Sequence, residues 1–83
     1  MTHAVADNLV RELLAELTLN PDCLTSASDT PLETIGMTSV TMIELVYAME
    51  DRFSVRIADE EVAPHNFASI GSVAALVARK CPS

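Results

Sequence analysis

The central segment of the chain, residues 36–53, reads GMTSVTMIELVYAMEDRF. Apolar residues recur in it at intervals of three and four, which predicts an amphipathic helix over about residues 39–53. Thr38 or Ser39 caps this helix, because either hydroxyl can accept backbone hydrogen bonds that the first turn leaves unpaired. Gly36 permits a tight turn just before it. The segment therefore predicts an exposed serine hydroxyl at the start of a helix.

At about 100° per residue, the predicted helix has two distinct faces. One face is entirely apolar and is expected to pack into the core; it consists of Met42, Leu45, Val46, Met49 and Phe53. The opposite face mixes apolar and acidic residues: Val40, Ile43, Glu44, Tyr47 and Asp51. Apolar area supplies affinity and acids steer a basic partner, so this face, with Thr38, is predicted to dock partner proteins. An ordinary solvated face is the alternative.

Two more long helices are predicted, one on each side of the central helix. The first runs from about residue 4 to 19, with Thr2 as its N-cap and Asn20-Pro21 as its stop. Its apolar stripe consists of Val5, Leu9, Leu13 and Leu17, with Val10 and Leu14 beside them. The last runs from about residue 70 to 80, capped by Ser69, with Arg79-Lys80 favourable at its C-terminus. Its inward residues are Ile70, Val73, Ala74 and Val77.

The connections are predicted to be irregular. Residues 20–37 form a long loop with one possible turn at Thr30-Pro31-Leu32-Glu33, and its apolar residues are expected to contact the core: Leu24, Leu32, Ile35 and Met37. Residues 54–57 form an extended connector, and the acidic run Asp59-Glu60-Glu61-Val62 forms a short helix that Pro64 ends or redirects. The sequence thus predicts an all-α, four-helix bundle with three long helices and one short helix, in a single domain over residues 1–83.

Composition excludes several classes of function. Five Lys+Arg against twelve Asp+Glu give the 83 residues a formal net charge of −7, which repels nucleic acids and anionic membranes and favours basic partners. The longest apolar run, Val73 to Ala78, is far shorter than the roughly 20 residues that span a bilayer, and no signal peptide is recognisable. We therefore expect a soluble cytoplasmic protein. Cys23 and Cys81 are expected to be reduced thiols without a role.

The sequence gives little support for a catalytic site or a metal site. The context of Ser39 is not Gly-x-Ser-x-Gly, and the two histidines, His3 and His65, are expected at the surface, so no catalytic residue is predicted. Asp59-Glu60-Glu61 lacks the pattern of a calcium loop, and no metal site is predicted. A phosphate ester on Ser39 is well supported, because a helix start presents unpaired amides and a positive dipole end to an anion. A simple N-cap is the alternative.

The run Gly36-Met37-Thr38-Ser39-Val40, followed by Glu44-Leu45, resembles the Gly-Leu/Met-Asp-Ser-Leu/Val signature of acyl and peptidyl carrier proteins. Ile57-Ala58-Asp59-Glu60-Glu61 is similar to the family's Ile-Pro-Asp-Glu-Glu, and the resemblance covers nearly the whole chain, including Glu50-Asp51-Arg52-Phe53. It implies a non-catalytic carrier whose Ser39 receives 4′-phosphopantetheine from coenzyme A through a phosphopantetheinyl transferase. The thiol of that arm then holds an acyl or aminoacyl group as a thioester.

The chain departs from this signature at Thr38, where the family usually has aspartate, and Thr41 occupies another position that is often acidic. The departure implies specialised partners, and we interpret the chain as a discrete carrier of polyketide or related antibiotic biosynthesis. Gly36-Met37 favours an acyl carrier over the aminoacyl or peptidyl carrier of nonribosomal peptide assembly, which remains an alternative, as does an unmodified helical adaptor. The resemblance implies a monomer that serves a loading ligase or acyltransferase and downstream synthase or transferase enzymes with basic docking patches.

Overall fold

The structure is a computed structural model and describes residues 2–81. Its three α-helices are α1 (His3–Thr18), α2 (Ser39–Phe53) and α3 (Ile70–Lys80). These residues contain no β-strand, and their single isolated β-bridge joins Pro31 to Ser69. The predicted all-helical class and the three long helices are confirmed, and α2 begins and ends at the predicted residues.

Local signals set the ends of the long helices. At α1, the Thr2 hydroxyl accepts a hydrogen bond from the Val5 amide at 3.2 Å, and the helix ends before Leu19, which is left-handed at φ 55°. At α3, the Ser69 hydroxyl accepts the Ser72 amide at 3.2 Å. Both predicted N-caps are therefore confirmed. Proline at position 21 prevents α1 from continuing, because the ring fixes φ and removes the amide donor.

The predicted short fourth helix is not confirmed as an α-helix. Two 3₁₀ helices occupy its place, Asp59–Glu61 and Pro64–Asn66. The Glu61 carboxylate accepts the Ala58 amide at 2.9 Å and closes the first of these turns. The backbone is extended at Ala63, and Pro64 begins the second turn without an amide to donate, so one continuous hydrogen-bonded helix cannot form. The Glu61 carboxylate also accepts a hydrogen bond from Lys80 at 2.6 Å, and this bond lowers the pKa of Glu61 below its ordinary value.

The core lies where α1 packs against α2 and α3. The inward faces of α2 and α3 are confirmed: Leu45, Val46 and Met49 are buried, Met42 and Phe53 pack against the core, and α3 buries Ile70, Val73, Ala74 and Val77. On α1 the predicted stripe is partly wrong. Its buried residues are Ala6, Val10, Leu13 and Leu14, whereas Val5 is 48% exposed. Ala6 therefore takes the inward position that was predicted for its neighbour Val5, since successive residues of a helix point about 100° apart.

The first loop contacts the core at Leu32 and Ile35, which are buried, and at Met37, which packs against the core. The predicted core contact of Leu24 is wrong: that side chain is half exposed, and the adjacent Cys23 is fully buried. Both residues lie in the 3₁₀ helix Pro21–Leu24, in which successive side chains differ by about 120°. Only one of two neighbours can therefore face inward. No disulfide joins Cys23 and Cys81 in the structure.

Arg11 ties the first loop to α1. Its guanidinium donates hydrogen bonds to the Asp7 carboxylate and to three groups of the loop, namely the Cys23 carbonyl, the Ser26 carbonyl and the Ser28 hydroxyl. The Ser28 hydroxyl in turn donates to Asp7 at 2.8 Å. The Ser28 carbonyl accepts the Gly71 amide at 2.8 Å, so the same loop is also fixed to α3.

The electrostatics of this cluster favour the ionised form of Asp7. Burial raises the pKa of Asp7, but hydrogen bonds from Arg11 and Ser28, with the charges of Arg11 and His3, lower it by more. The net pKa lies below the ordinary aspartate value. The loop that leads to Ser39 is therefore held by a charged, partly buried network.

Candidate attachment site at the start of α2

The turn before α2 depends on Gly36. This glycine ends the 3₁₀ helix Leu32–Ile35 with φ 103°, a left-handed conformation that L-residues rarely adopt. The Met37 amide closes the turn by donating to the Leu32 carbonyl at 3.1 Å, and the Asn20 side chain donates to the Ile35 carbonyl at 3.3 Å. The turn is therefore fixed to the end of α1 and directs the chain into α2.

Thr38 is the N-cap of α2. Its backbone is extended, at φ −122° and ψ 174°, and its hydroxyl accepts the Thr41 amide at 3.1 Å. Its carbonyl accepts the Met42 amide at 2.9 Å, the first hydrogen bond of the helix. The structure thus decides between the two predicted caps. Because Thr38 does the capping, the hydroxyl of Ser39 is left available.

Ser39 is the first residue of α2, and it is exposed. Within residues 2–81, nothing forms a hydrogen bond with its hydroxyl, and the amides of Ser39 and Val40 have no intramolecular acceptor. Two unpaired amides and the positive end of the helix dipole are the environment that an anionic phosphate ester requires. The geometry at Ser39 therefore fits a phosphate-linked group.

The outer face of α2 adjoins this site. Val40, Ile43 and Tyr47 are 67%, 51% and 67% exposed. Glu44 and Asp51 are exposed on the same helix. The structure thus brings all the residues predicted to dock partners to the surface, including Thr38. Their role in docking remains a prediction.

A groove of about 700 Å³ lies beside Ser39. Ser39 lies on its edge, and side chains from the first loop, from α2 and from the segment before α3 line it, among them Leu32, Met37, Met42 and Phe67. Sequence reasoning did not find this groove, because it is built from segments far apart along the chain. Phe67 in particular showed no periodic or motif signal.

Within residues 2–81, no hydrogen bond connects either histidine with the Ser39 hydroxyl. His3 is exposed, and its Nε2 lies 3.3 Å from the Gly71 carbonyl oxygen. His65 is exposed in the second 3₁₀ helix, Pro64–Asn66. None of the helices between residues 2 and 81 combines the length and the apolar character needed to cross a membrane.

Comparisons with known proteins show which family the chain belongs to. Residues 8–78 match the family described as "Phosphopantetheine attachment site". The chain is also similar to an acyl carrier protein of Wolinella succinogenes, with 31% identity over 70 residues that cover 84% of this chain and 88% of that protein. No solved structure matches the chain. Proteins of this kind bind 4′-phosphopantetheine, are not themselves catalytic, and work with a phosphopantetheinyl transferase and synthase enzymes. The chain is therefore a carrier protein and belongs to the phosphopantetheine-binding family of acyl carrier proteins.

Proposed function

We propose that Ser39 is the attachment residue and that the chain, as one carrier domain over residues 1–83, presents acyl intermediates to enzymes of polyketide or related natural-product biosynthesis. The observation that carries the proposal is the exposed Ser39 hydroxyl at the first position of α2, which has no hydrogen-bond partner within residues 2–81. It lies inside the matched residues 8–78 and beside the amides of Ser39 and Val40, which also have no acceptor in that part of the chain.

The chain and the transferase each contribute groups to the reaction at Ser39. The Ser39 oxygen forms a bond to the phosphorus that bears the pantetheine, the pyrophosphate bond of coenzyme A breaks, and the adenosine bisphosphate leaves. In this proposal the hydroxyl proton passes to a base of the transferase. The chain contributes the nucleophile, the amides of Ser39 and Val40, and the helix dipole, which together stabilise the phosphodiester. When bound, the prosthetic group supplies the thiol that carries the acyl group.

The outer face of α2 supports docking close to this residue. Val40, Ile43 and Tyr47 offer exposed apolar area, and Glu44 and Asp51 add negative charge. A partner with an apolar patch surrounded by Lys and Arg complements both properties. The first turn of α2 bears no acid, which supports partners different from those that select an aspartate before the serine. Gly36-Met37 supports acyl rather than aminoacyl cargo.

The attachment is tested by intact-protein mass spectrometry before and after incubation with coenzyme A and a broad-specificity phosphopantetheinyl transferase. We expect the wild-type chain to gain the mass of one phosphopantetheine and Ser39→Ala to gain none. Ser54→Ala is the matched control, because Ser54 is an exposed serine at the other end of the same helix, and it should be loaded like the wild type. Circular dichroism establishes that each variant is folded.

Loading of folded Ser39→Ala would overturn the assignment of the site. Absence of loading in the folded wild type, repeated with a second transferase, would favour an unmodified adaptor that binds its partner through α2.

A further inference from the structure

A second depression of the surface, apart from the groove at Ser39, is lined by α2 and by the segment that follows this helix. Its volume is about 550 Å³. Ile43 and Tyr47, two exposed apolar residues of the outer face of α2, line it together with residues 56–59. Ser39 is not among the lining residues. The depression therefore extends the proposed docking face onto the segment after α2.

Arg56 gives this depression a positive charge. Its side chain is exposed and lines the depression. Three of the other four Lys and Arg residues form ion pairs with carboxylates of the chain, and the fourth, Arg79, donates to Asn66. Within residues 2–81, the Arg56 side chain has neither an ion pair nor a hydrogen bond. Its guanidinium is therefore available to a partner from outside.

The backbone that carries Arg56 is fixed on both sides. The Glu50 carbonyl accepts the Val55 amide at 3.3 Å, and the Glu50 carboxylate accepts the Ile57 amide at 2.9 Å. The Ile57 side chain is buried in the core. Because the chain is already ordered around Arg56, a partner that binds there orders little more than one side chain. The Glu50 carboxylate also lines the depression, but its hydrogen bond is to Ile57 and not to Arg56.

We propose that Arg56 binds an aspartate or glutamate side chain of a docking partner protein, while a neighbouring apolar side chain of that partner enters the depression beside Ile43 and Tyr47. The proposal rests on the proposed docking through the outer face of α2, but not on the attachment at Ser39. Arginine suits this role because its planar guanidinium can form two parallel hydrogen bonds with one carboxylate. Tyrosine and arginine are also enriched in protein interfaces.

An acid opposite Arg56 fixes the orientation of the partner. The partner's Lys and Arg residues face Glu44 and Asp51 on the outer face of α2, whereas its acid faces Arg56. A partner that is turned end for end places this acid against the carboxylates of the helix, which repel it. Asp59 lines the depression, is exposed and forms no ion pair with Arg56, so it repels an acid that is displaced from the guanidinium.

Selection of peptides tests which side chains the depression accepts. A phage-displayed library of random peptides is selected for binding to the unmodified wild-type chain. We expect the enriched peptides to combine an apolar residue with Asp or Glu. The chain has a formal net charge of −7, which disfavours acidic ligands at most of its surface. Enrichment of acids therefore reports a local cation.

Replacement of single arginines assigns the enrichment to a residue. Arg56→Gln removes the guanidinium from an exposed position without an internal partner and should abolish the enrichment of acids. Arg52→Gln is the matched control, because it removes the same charge from α2 outside the depression, and it should retain the enrichment. Circular dichroism establishes that both variants are folded.

One enriched peptide is then measured by calorimetry. Replacing its acid by the corresponding amide should weaken binding to the wild type about two- to fivefold, the range of an exposed ion pair. The same replacement should not change binding to Arg56→Gln. Arg56→Lys should bind the acidic peptide more weakly than the wild type, because an ammonium group lacks the planar pair of donors.

A selection that yields no acidic peptides, whether it yields basic ones or none, overturns the proposal. Acid enrichment that persists with Arg56→Gln also overturns it. Loading of Ser39 is measured separately by mass. A chain that is loaded but selects no acid keeps the attachment and loses the role of Arg56. A folded chain that is not loaded but selects acids through Arg56 loses the attachment and keeps that role.

Discussion

Replacement of Thr38 tests how the start of α2 is stabilised. Thr38→Val keeps the shape of the side chain but removes the oxygen that accepts the Thr41 amide at 3.1 Å. Because Thr38 is exposed, the change leaves no cavity, and the expected loss is that of an N-cap, about 1 kcal/mol. An 83-residue domain has a total stability of roughly 4–12 kcal/mol. The loss is therefore measurable, and the midpoint of thermal unfolding should fall by about 4–8 °C.

The Thr38→Asp variant distinguishes the effect of the N-cap on stability from the effect of a negative charge. The carboxylate retains an acceptor for the Thr41 amide and adds a favourable interaction with the helix dipole of about 0.3–1 kcal/mol. We expect this variant to melt at or above the wild-type temperature. Thr38→Asn is the control, since it caps without a charge and should lie between Thr38→Val and Thr38→Asp.

The assays are thermal unfolding followed by circular dichroism and the rate of phosphopantetheine transfer. If the cap positions Ser39, Thr38→Val should slow transfer by up to about fivefold, the factor that corresponds to 1 kcal/mol. A Thr38→Val variant that melts with the wild type would refute the capping role assigned to the threonine. Normal transfer despite a lowered melting temperature would show that the transferase itself orders this turn.

Two further predictions concern charge. Because the pKa of Asp7 is lowered in the folded chain, its contribution to stability is fully present above the unfolded pKa of about 3.9 and is lost as the pH falls through the lowered folded value. Urea unfolding of Asp7→Asn should therefore show a weaker loss of stability on acidification than the wild type, and parallel profiles would contradict the network with Arg11. Glu44→Lys and Asp51→Lys should slow acyl transfer by a partner enzyme at low ionic strength, and the difference should shrink as salt is added. If both variants transfer at the wild-type rate at every ionic strength, this face is not part of the interface.

The features that the sequence predicted are those with local causes. Both ends of α2 lie where its period and its cap indicate, because a cap acts over three residues and a helical period is set by its own turns. The same holds for the caps Thr2 and Ser69. Ser39 could be singled out as the candidate attachment residue because the turn at Gly36, the cap and the hydroxyl lie within four consecutive residues.

The features that escaped prediction depend on contacts between distant residues. Arg11 bonds to groups 12 to 17 residues away, and nothing in its sequence context distinguishes it from an arginine on a solvated helix. The choice between Cys23 and Leu24 as the buried residue depends on the handedness and pitch of a single 3₁₀ turn. The groove beside Ser39 similarly depends on Phe67 and Met42, which are far apart in the sequence, lining the same depression.

The distribution of charge supports the proposed docking of basic partners, although no acid lies directly beside Ser39. Of the five Lys and Arg, Arg11, Arg52 and Lys80 pair with the chain's own carboxylates, and Arg79 bonds to Asn66. Three of the five positive charges are therefore paired with carboxylates, and nine of the twelve acids have no ion pair among the described residues and dominate the outer field. That field acts over about 10 Å at ordinary ionic strength, far enough for acids one or more turns along α2 to steer a partner. If partners dock on the outer face of α2 as proposed, the neutral first turn offers them Val40 and the next turn Ile43, so salt should affect the rate of encounter more than the lifetime of the complex.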